Sequence, residues 1–120
     1  MSDDISHDII VGGMNISYNG GPMTEAMYYV LLALMRSNHG YQLMQSITEV
    51  SKGRLTMGPG TLYGVLSRMQ KDGLIALAKD DGRRKIYEIT KEGEHALRVE
   101  YARLKSLIFD SSILKEGNDD

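Results

Sequence analysis

The chain has 120 residues, a net charge of −2, an apolar share of 42% and a charged share of 25%, which suits one soluble domain with one core. It contains no Cys, which excludes disulfides and thiolate metal sites and fits a reducing cytoplasm. No apolar run approaches the ~18 residues of a membrane span, and Met1-Ser-Asp-Asp lacks the basic and apolar regions of a secretion signal.

The charge is unevenly spread. Residues 52–91 hold nine Lys/Arg against four acids, a net of +5, and the remainder carries a net of −7. A basic island on an acidic chain is what a local phosphate-binding face needs, although charge blocks also occur on plain solvated surfaces.

In chain order, residues 1–22 show no sustained period and read as a flexible arm. Within it, Ile9-Ile10-Val11 and Ile16-Ser17-Tyr18 form strand only where a partner supplies an edge. A first helix is predicted over 24–37, capped by Thr24, with Met27, Val30, Leu31 and Leu34 as an apolar stripe. A second runs from 41 to 51 with Leu43, Ile47 and Val50 on its buried side, and Lys52-Gly53 ends it. A third spans 59–72, with Pro59 at its start and Leu62, Val65, Leu66 and Met69 as its stripe.

The period then changes. Residues 74–78 and 85–89 read as strands, and Asp81-Gly82 between them is a hairpin turn signal. Thr90 caps a last helix over 91–114, and residues 115–120 read as a disordered tail. Helix, helix, helix, hairpin is the order of a winged helix-turn-helix, so the expected fold is mainly α, within α+β, with an added C-terminal dimerisation helix. The domains are then 1–22, 23–90, 91–114 and 115–120.

The third helix turns Gly60, Gly64, Ser67 and Lys71 away from its apolar stripe, with Thr61, Tyr63 and Arg68 on the flanks. Gly64 inside a helix costs about 1 kcal/mol relative to Ala, and a small outward face lets the helix backbone approach another surface closely. Thr61, Tyr63, Arg68 and Lys71 can reach phosphate oxygens. Arg83, Arg84 and Lys85 follow the hairpin turn and suit phosphate contact or minor-groove insertion. The structural alternatives are that Gly64 is mere tolerated drift, that Tyr63 is half-buried core, and that Arg84 or Lys85 pairs with Asp80, Asp81 or Glu88.

Leu97, Tyr101, Leu104 and Ile108 are spaced 4, 3, 4, an a/d seam. Its simplest partner is the same helix, or the first helix, of a second copy, so Met27 and Leu31 join the expected dimerisation set. A helix folded back onto its own domain is the alternative. No catalytic constellation, metal set or cofactor motif is visible: His7, His39 and His95 lie far apart, and Gly58-Pro-Gly-Thr lacks the ending of a P-loop. Met and Tyr residues between the first and last helices, with Phe109, suit a hydrophobic or aromatic small-molecule effector.

Leu32-Ala33-Leu34, His39-Gly40-Tyr41, Gly58-Pro-Gly-Thr-Leu-Tyr63, Asp72-Gly73-Leu74-Ile75, Gly82-Arg-Arg-Lys-Ile-Tyr87 and Ile89-Thr90-Lys-Glu-Gly93 together resemble the PadR family of bacterial transcriptional regulators, over about residues 23–110. The resemblance implies a winged-helix homodimer that represses promoters and releases DNA on binding an effector. It implies that Tyr41, Thr61, Tyr63, Arg83 and Arg84 lie at the DNA face, and it is closest to the small subfamily with one C-terminal helix. The chain departs from the pattern at Gly64 and Met69-Gln70, and it has no Trp where the multidrug-binding branch carries one, about Leu104 here. The expected function is a cytoplasmic, non-enzymatic, homodimeric DNA-binding repressor acting on double-stranded, pseudo-palindromic DNA. A protein-interaction module and a small-molecule sensor with a secondary DNA role are the alternatives.

Overall fold

The computed structural model of the chain describes residues 9–11, 14–16, 21–36 and 40–116. The first described elements are β1 (Ile9–Val11) and β2 (Met14–Ile16), paired antiparallel with Ile9 opposite Ile16 and Val11 opposite Met14. The edge that this stretch needs comes from the same chain, two residues on. Ser17 and Tyr18 lie outside the described residues.

Thr24 caps α1 (Glu25–Leu34), its hydroxyl accepting the Met27 N–H at 3.1 Å, and Glu25 adds favourable charge in the first turn. The helix buries Val30, Leu31, Ala33 and Leu34 and stops short of the predicted end. In α2 (Gly40–Val50), Leu43 and Ile47 are fully buried, while Val50 is only half-buried. Its end is a Schellman turn: Gly53 N–H bonds the Thr48 carbonyl at 2.8 Å and Lys52 N–H bonds Glu49 at 3.1 Å. Lys52 accordingly takes a left-handed φ of 56°. Buried Ser51 secures the next loop, its hydroxyl accepting the Leu55 N–H at 3.0 Å.

Gly58 and Pro59 open α3 (Pro59–Lys71), and the sequence Asp-Gly-Leu closes it. Leu74 N–H bonds Met69 at 3.0 Å and Gly73 N–H bonds Gln70 at 3.1 Å, again a Schellman turn. Gly73 has φ +81°, a conformation that a side chain rarely adopts, and the Leu74 and Met69 side chains flanking this reversal are both fully buried. The chain thus passes directly from α3 into β3 (Ile75–Asp80), which pairs antiparallel with β4 (Lys85–Ile89) from Ile75 opposite Ile89 to Asp80 opposite Lys85. The register slips between Leu77 and Lys79, leaving Ala78 as a bulge that re-aims the outer half of the hairpin.

The side chains of Val30, Leu31, Leu43, Ile47, Leu62, Leu66, Met69 and Leu74 are fully buried, so α1, α2, α3 and the hairpin close one core. Thr90 then caps α4 (Lys91–Asp110), accepting the Gly93 N–H at 2.9 Å. The predicted helix over 91–114 is interrupted. Ser111 turns its hydroxyl back to the Leu107 carbonyl at 2.6 Å, the competition with helical hydrogen bonding that Ser typically offers. A short α5 (Ile113–Glu116) follows, so Lys115 and Glu116, read from sequence as tail, are helical. The architecture is a helix-rich winged helix-turn-helix with a small two-stranded wing and a C-terminal helix.

Candidate nucleic-acid interface

α3 divides cleanly. Leu62, Leu66 and Met69 are buried and Val65 half-buried, which leaves Gly60, Thr61, Tyr63, Gly64, Ser67, Arg68 and Lys71 exposed. A Cβ added at Gly60 or Gly64 meets nothing within 4 Å. Neither glycine is needed by the packing of this chain or by its φ angles, so the folded domain gives no internal reason for them.

Tyr63 is 41% exposed. It neighbours Tyr87, whose hydroxyl is pushed above its usual range first by burial and then by the Tyr63 phenol beside it. Tyr63 thus links α3 to the wing as well as facing solvent. Arg68 is not a free cation: its Nε donates to Asp72 Oδ2 at 3.3 Å, one turn on. The pair is exposed on the Arg68 side, where such pairs contribute little, so the guanidinium can exchange one anion for another. Tyr41 stands in the first turn of α2, and its side chain lies outside the described residues, as does His39.

The wing tip shows how its cations are presented. Asp80 Oδ1 accepts the Gly82 N–H at 3.0 Å, and Asp81 Oδ1 accepts the N–H groups of Arg83 and Arg84 at 3.0 and 2.8 Å. Those two backbone donors, Arg84's first, hold the Asp81 carboxyl below the usual carboxylate range. Both aspartates are spent on building the turn. Arg83, Arg84 and Lys85 are exposed, and among the described residues none of them forms a side-chain ion pair. Among the described residues no ion pair joins Arg84 or Lys85 to Asp80, Asp81 or Glu88, the pairing weighed from sequence, although the Arg84 charge also helps to lower the Asp81 pKa from a distance.

The partner-facing set splits in two. Leu31 and Leu97 belong to the chain's own core, because α1 packs against the first half of α4 and covers them; they are corrected from seam to core. Met27 is half-buried against that core. Leu104 is half-buried, and Tyr101 and Ile108 stand in solvent. Between α1 and α4 lies a groove of about 370 Å³ lined by Tyr28, Leu32, Met35, Leu97 and Tyr101, with the Glu94–Arg98 pair (2.7 Å) on its side. Phe109, expected among aromatic lining residues, stands elsewhere at 81% exposure.

α4 also carries a buried ion pair that apolar spacing does not reveal. Glu100, only 5% exposed, receives Arg103 Nε at 3.0 Å and Nη2 at 2.5 Å. Arg103, and with it the Met23 backbone N–H, lowers the Glu100 pKa against the opposing effect of burial. Its signal was a carboxylate on the buried side of α4 with an Arg three residues on. Among the described residues no three His, Asp or Glu side chains converge to hold a metal ion, and no helix is long and apolar enough to cross a membrane.

Known proteins agree with this architecture. A family model described as the transcriptional regulator PadR-like family matches residues 30–99. The crystal structure of a PadR family transcriptional regulator from Eggerthella lenta DSM 2243 superposes with a TM-score of 0.64 at 30% identity, covering 77% of this chain and 82% of that one. An uncharacterized 37.1 kDa protein in transposon TN4556 of Streptomyces fradiae is 35% identical over 96 residues, 77% of this chain and 27% of that protein. The transcriptional regulator YqjI of Escherichia coli K12 is 32% identical over 70 residues, 58% of this chain and 34% of that protein. The chain therefore spans only about a quarter to a third of the length of these two curated relatives. The fold and the basic wing define a winged-helix regulator. More narrowly, the chain belongs to the PadR-like family of transcriptional regulators, a family of regulators rather than of enzymes.

Proposed function

We propose that the chain binds double-stranded DNA as a homodimer and represses transcription at a pseudo-palindromic operator. The observation that carries this reading is the wing tip, where Asp80 and Asp81 are engaged by backbone N–H groups and leave Arg83, Arg84 and Lys85 for phosphates. The exposed face of α3 supports it: Gly60, Gly64 and Ser67 permit close approach, with Thr61, Tyr63, Arg68 and Lys71 as anchors around them, and Tyr41 of α2 is proposed as a further anchor. That face holds no Asn, Gln or Arg at its centre for paired base contacts, so specificity rests largely on half-site spacing and DNA shape. Two copies would set two α3 helices in successive major grooves, roughly 34–36 Å apart.

The exposed half of α4, with Tyr101, Leu104 and Ile108, is the proposed contact with the second copy. The groove between α1 and α4 is the proposed seat of a hydrophobic or aromatic effector whose binding releases DNA. Membership of a family of transcriptional regulators, which work on promoter DNA, favours action in the cytoplasm. Titration of the promoter next to the gene, in gel shifts over a range of salt concentrations, tests the core of this reading. A salt-dependent complex on an inverted repeat is expected. The apolar half of α4 also favours a second reading, a winged helix that docks on another protein, and weak, salt-insensitive DNA binding beside a stable hetero-complex would select it.

A further inference from the structure

The wing cations form no ion pair among the described residues, whereas an arginine at each end of α3 does. Arg68, in its last turn, is held by Asp72. Arg54, in the loop that leads into it, is held by Glu25, 29 residues earlier in the first turn of α1. That loop is built to keep Arg54 in place. Lys52 and Gly53 take left-handed φ angles of 56° and 81° where α2 ends, and Arg54 N–H bonds the Ser51 carbonyl at 3.1 Å. Ser51, 2% exposed, accepts the Leu55 N–H at 3.0 Å, and buried Met57 ties the rest of the loop to the core.

The fold has little need of the Arg54–Glu25 pair. Its side chains are 62% and 52% exposed, and such pairs contribute about 0–1 kcal/mol. α1 and α2 are already joined through fully buried Val30, Leu31, Leu43 and Ile47. Glu25 keeps a favourable place without Arg54, because it stands at the positive end of α1. The pair is therefore easily opened by a competing anion. A helix-turn-helix on DNA brings the N-terminal residues of its second helix to the base edges of the groove, so the loop that delivers them runs beside the phosphates of the rim. Arg54 stands in that loop with Lys52, both exposed, ahead of the exposed run from Gly58 to Thr61.

We propose that Arg54 is a further phosphate contact of the DNA-binding surface and that Glu25 is its internal counter-ion, displaced when DNA binds. This rests on the reading of α3 and the wing as the DNA face. A backbone phosphate carries no sequence information, so opening the pair opposes binding to every sequence alike. Glu25 thereby lowers the affinity of the surface for DNA at large, and base contacts and DNA shape still decide between sites. The two ends of α3 then share one device: a cation kept by a carboxylate of its own chain until a phosphate replaces it.

Fluorescence anisotropy with a random-sequence DNA duplex, over a range of salt concentrations, tests both halves of the proposal in the full chain. Arg54→Ala should weaken binding and reduce the slope of log K against log salt by roughly 0.9, the loss of one neutralised phosphate. Arg54→Lys should restore that slope. Glu25→Gln should tighten binding by up to about five-fold, the exposed-pair energy expressed as affinity, with the wild-type slope. The gain should vanish when Glu25→Gln is made together with Arg54→Ala. A wild-type slope in Arg54→Ala, with or without a lower melting temperature, takes Arg54 off the DNA and overturns the proposal. An equal gain from Glu25→Gln in the presence and absence of Arg54 reduces Glu25 to bulk charge and overturns its role as counter-ion. If the wild type itself shows no salt-dependent binding, the DNA-binding reading fails and this proposal fails with it.

Discussion

A Cβ on Gly93 would stand 2.0 Å from the carbonyl oxygen of Leu74. Gly93 is in the first turn of α4 and Leu74 opens the wing, so helix backbone lies on hairpin backbone there. Thr90 completes the contact: its N–H bonds the Leu74 carbonyl at 3.1 Å, its hydroxyl bonds the Gly73 carbonyl at 2.8 Å, and its oxygen caps Gly93. Gly93→Ala must force two backbones apart. Overpacking costs roughly 1–3 kcal/mol, and the upper end is expected because the obstacle is not a side chain. Thr90→Ala should cost about 1 kcal/mol through the missing cap. Urea denaturation measures both, and a wild-type midpoint for Gly93→Ala would show that the contact is loose.

Gly60 and Gly64 should behave in the opposite way. Added Cβ atoms meet open space, so Ala at either position should stabilise the fold by about 0.5–1 kcal/mol through helix propensity. The same changes should weaken operator binding, because they thicken the face on which the DNA backbone or groove floor would seat. A rise in melting temperature with unaltered affinity would remove close docking from the role of α3.

The contrast between these glycines marks how far the sequence could be read. Apolar spacing found the buried faces of α1 and α3, because a stripe such as Leu62, Val65, Leu66 and Met69 depends on helix periodicity alone. Thr24, Thr90, Gly73 and the Asp81-Gly82 turn were equally legible, since capping and turn chemistry act over three or four residues. The role of Gly93 was not, because its neighbour Leu74 is distant in sequence. The same limit moved Leu31 and Leu97: an apolar seam has the same spacing whether its partner is the chain's own helix or another copy. The last helix breaks at Ser111, where backbone bonds tighten to the carbonyl three residues back although the apolar pattern continues, and the pairing of β1 with β2 was hidden because three-residue strands carry almost no periodic signal.

The wing should act through cations that the turn holds in place. Arg83→Ala with Arg84→Ala should weaken binding to every DNA sequence and reduce the slope of log K against log salt by roughly 1.8, about 0.9 for each phosphate no longer neutralised. An unchanged slope would take these residues off the DNA. Asp81→Ala leaves all three cations in place but removes the acceptor for two backbone N–H groups, so it should weaken binding by unpinning the tip, with faster amide exchange at Arg83 and Arg84 as the reporter. The folded-state Asp81 pKa lies below its usual 3.8, so the ordering it provides is present above that value and is lost as pH falls through the lower one. Amide protection at the tip should therefore be flat from pH 8 to about 5 and fall only in stronger acid.

Glu100 gives a second acid-sensitive contribution, inside the protein rather than at its edge. Its pKa is lowered mainly by the Arg103 hydrogen bond, so the bound carboxylate stabilises the fold above the usual Glu value of 4.5. That contribution is lost as pH falls through the depressed folded-state value. Glu100→Gln keeps the shape and one acceptor but removes the charge from a bidentate pair, which should cost about 1–3 kcal/mol at neutral pH. The deficit should shrink as both proteins are taken below the usual Glu range, because the wild type then protonates and loses the same charge. Urea titrations at neutral pH and in acid measure the gap directly. If the gap persists undiminished in acid, the loss lies in packing around Met23 and α4 rather than in the Glu100–Arg103 ion pair. Convergence of the two proteins in acid assigns it to the charge.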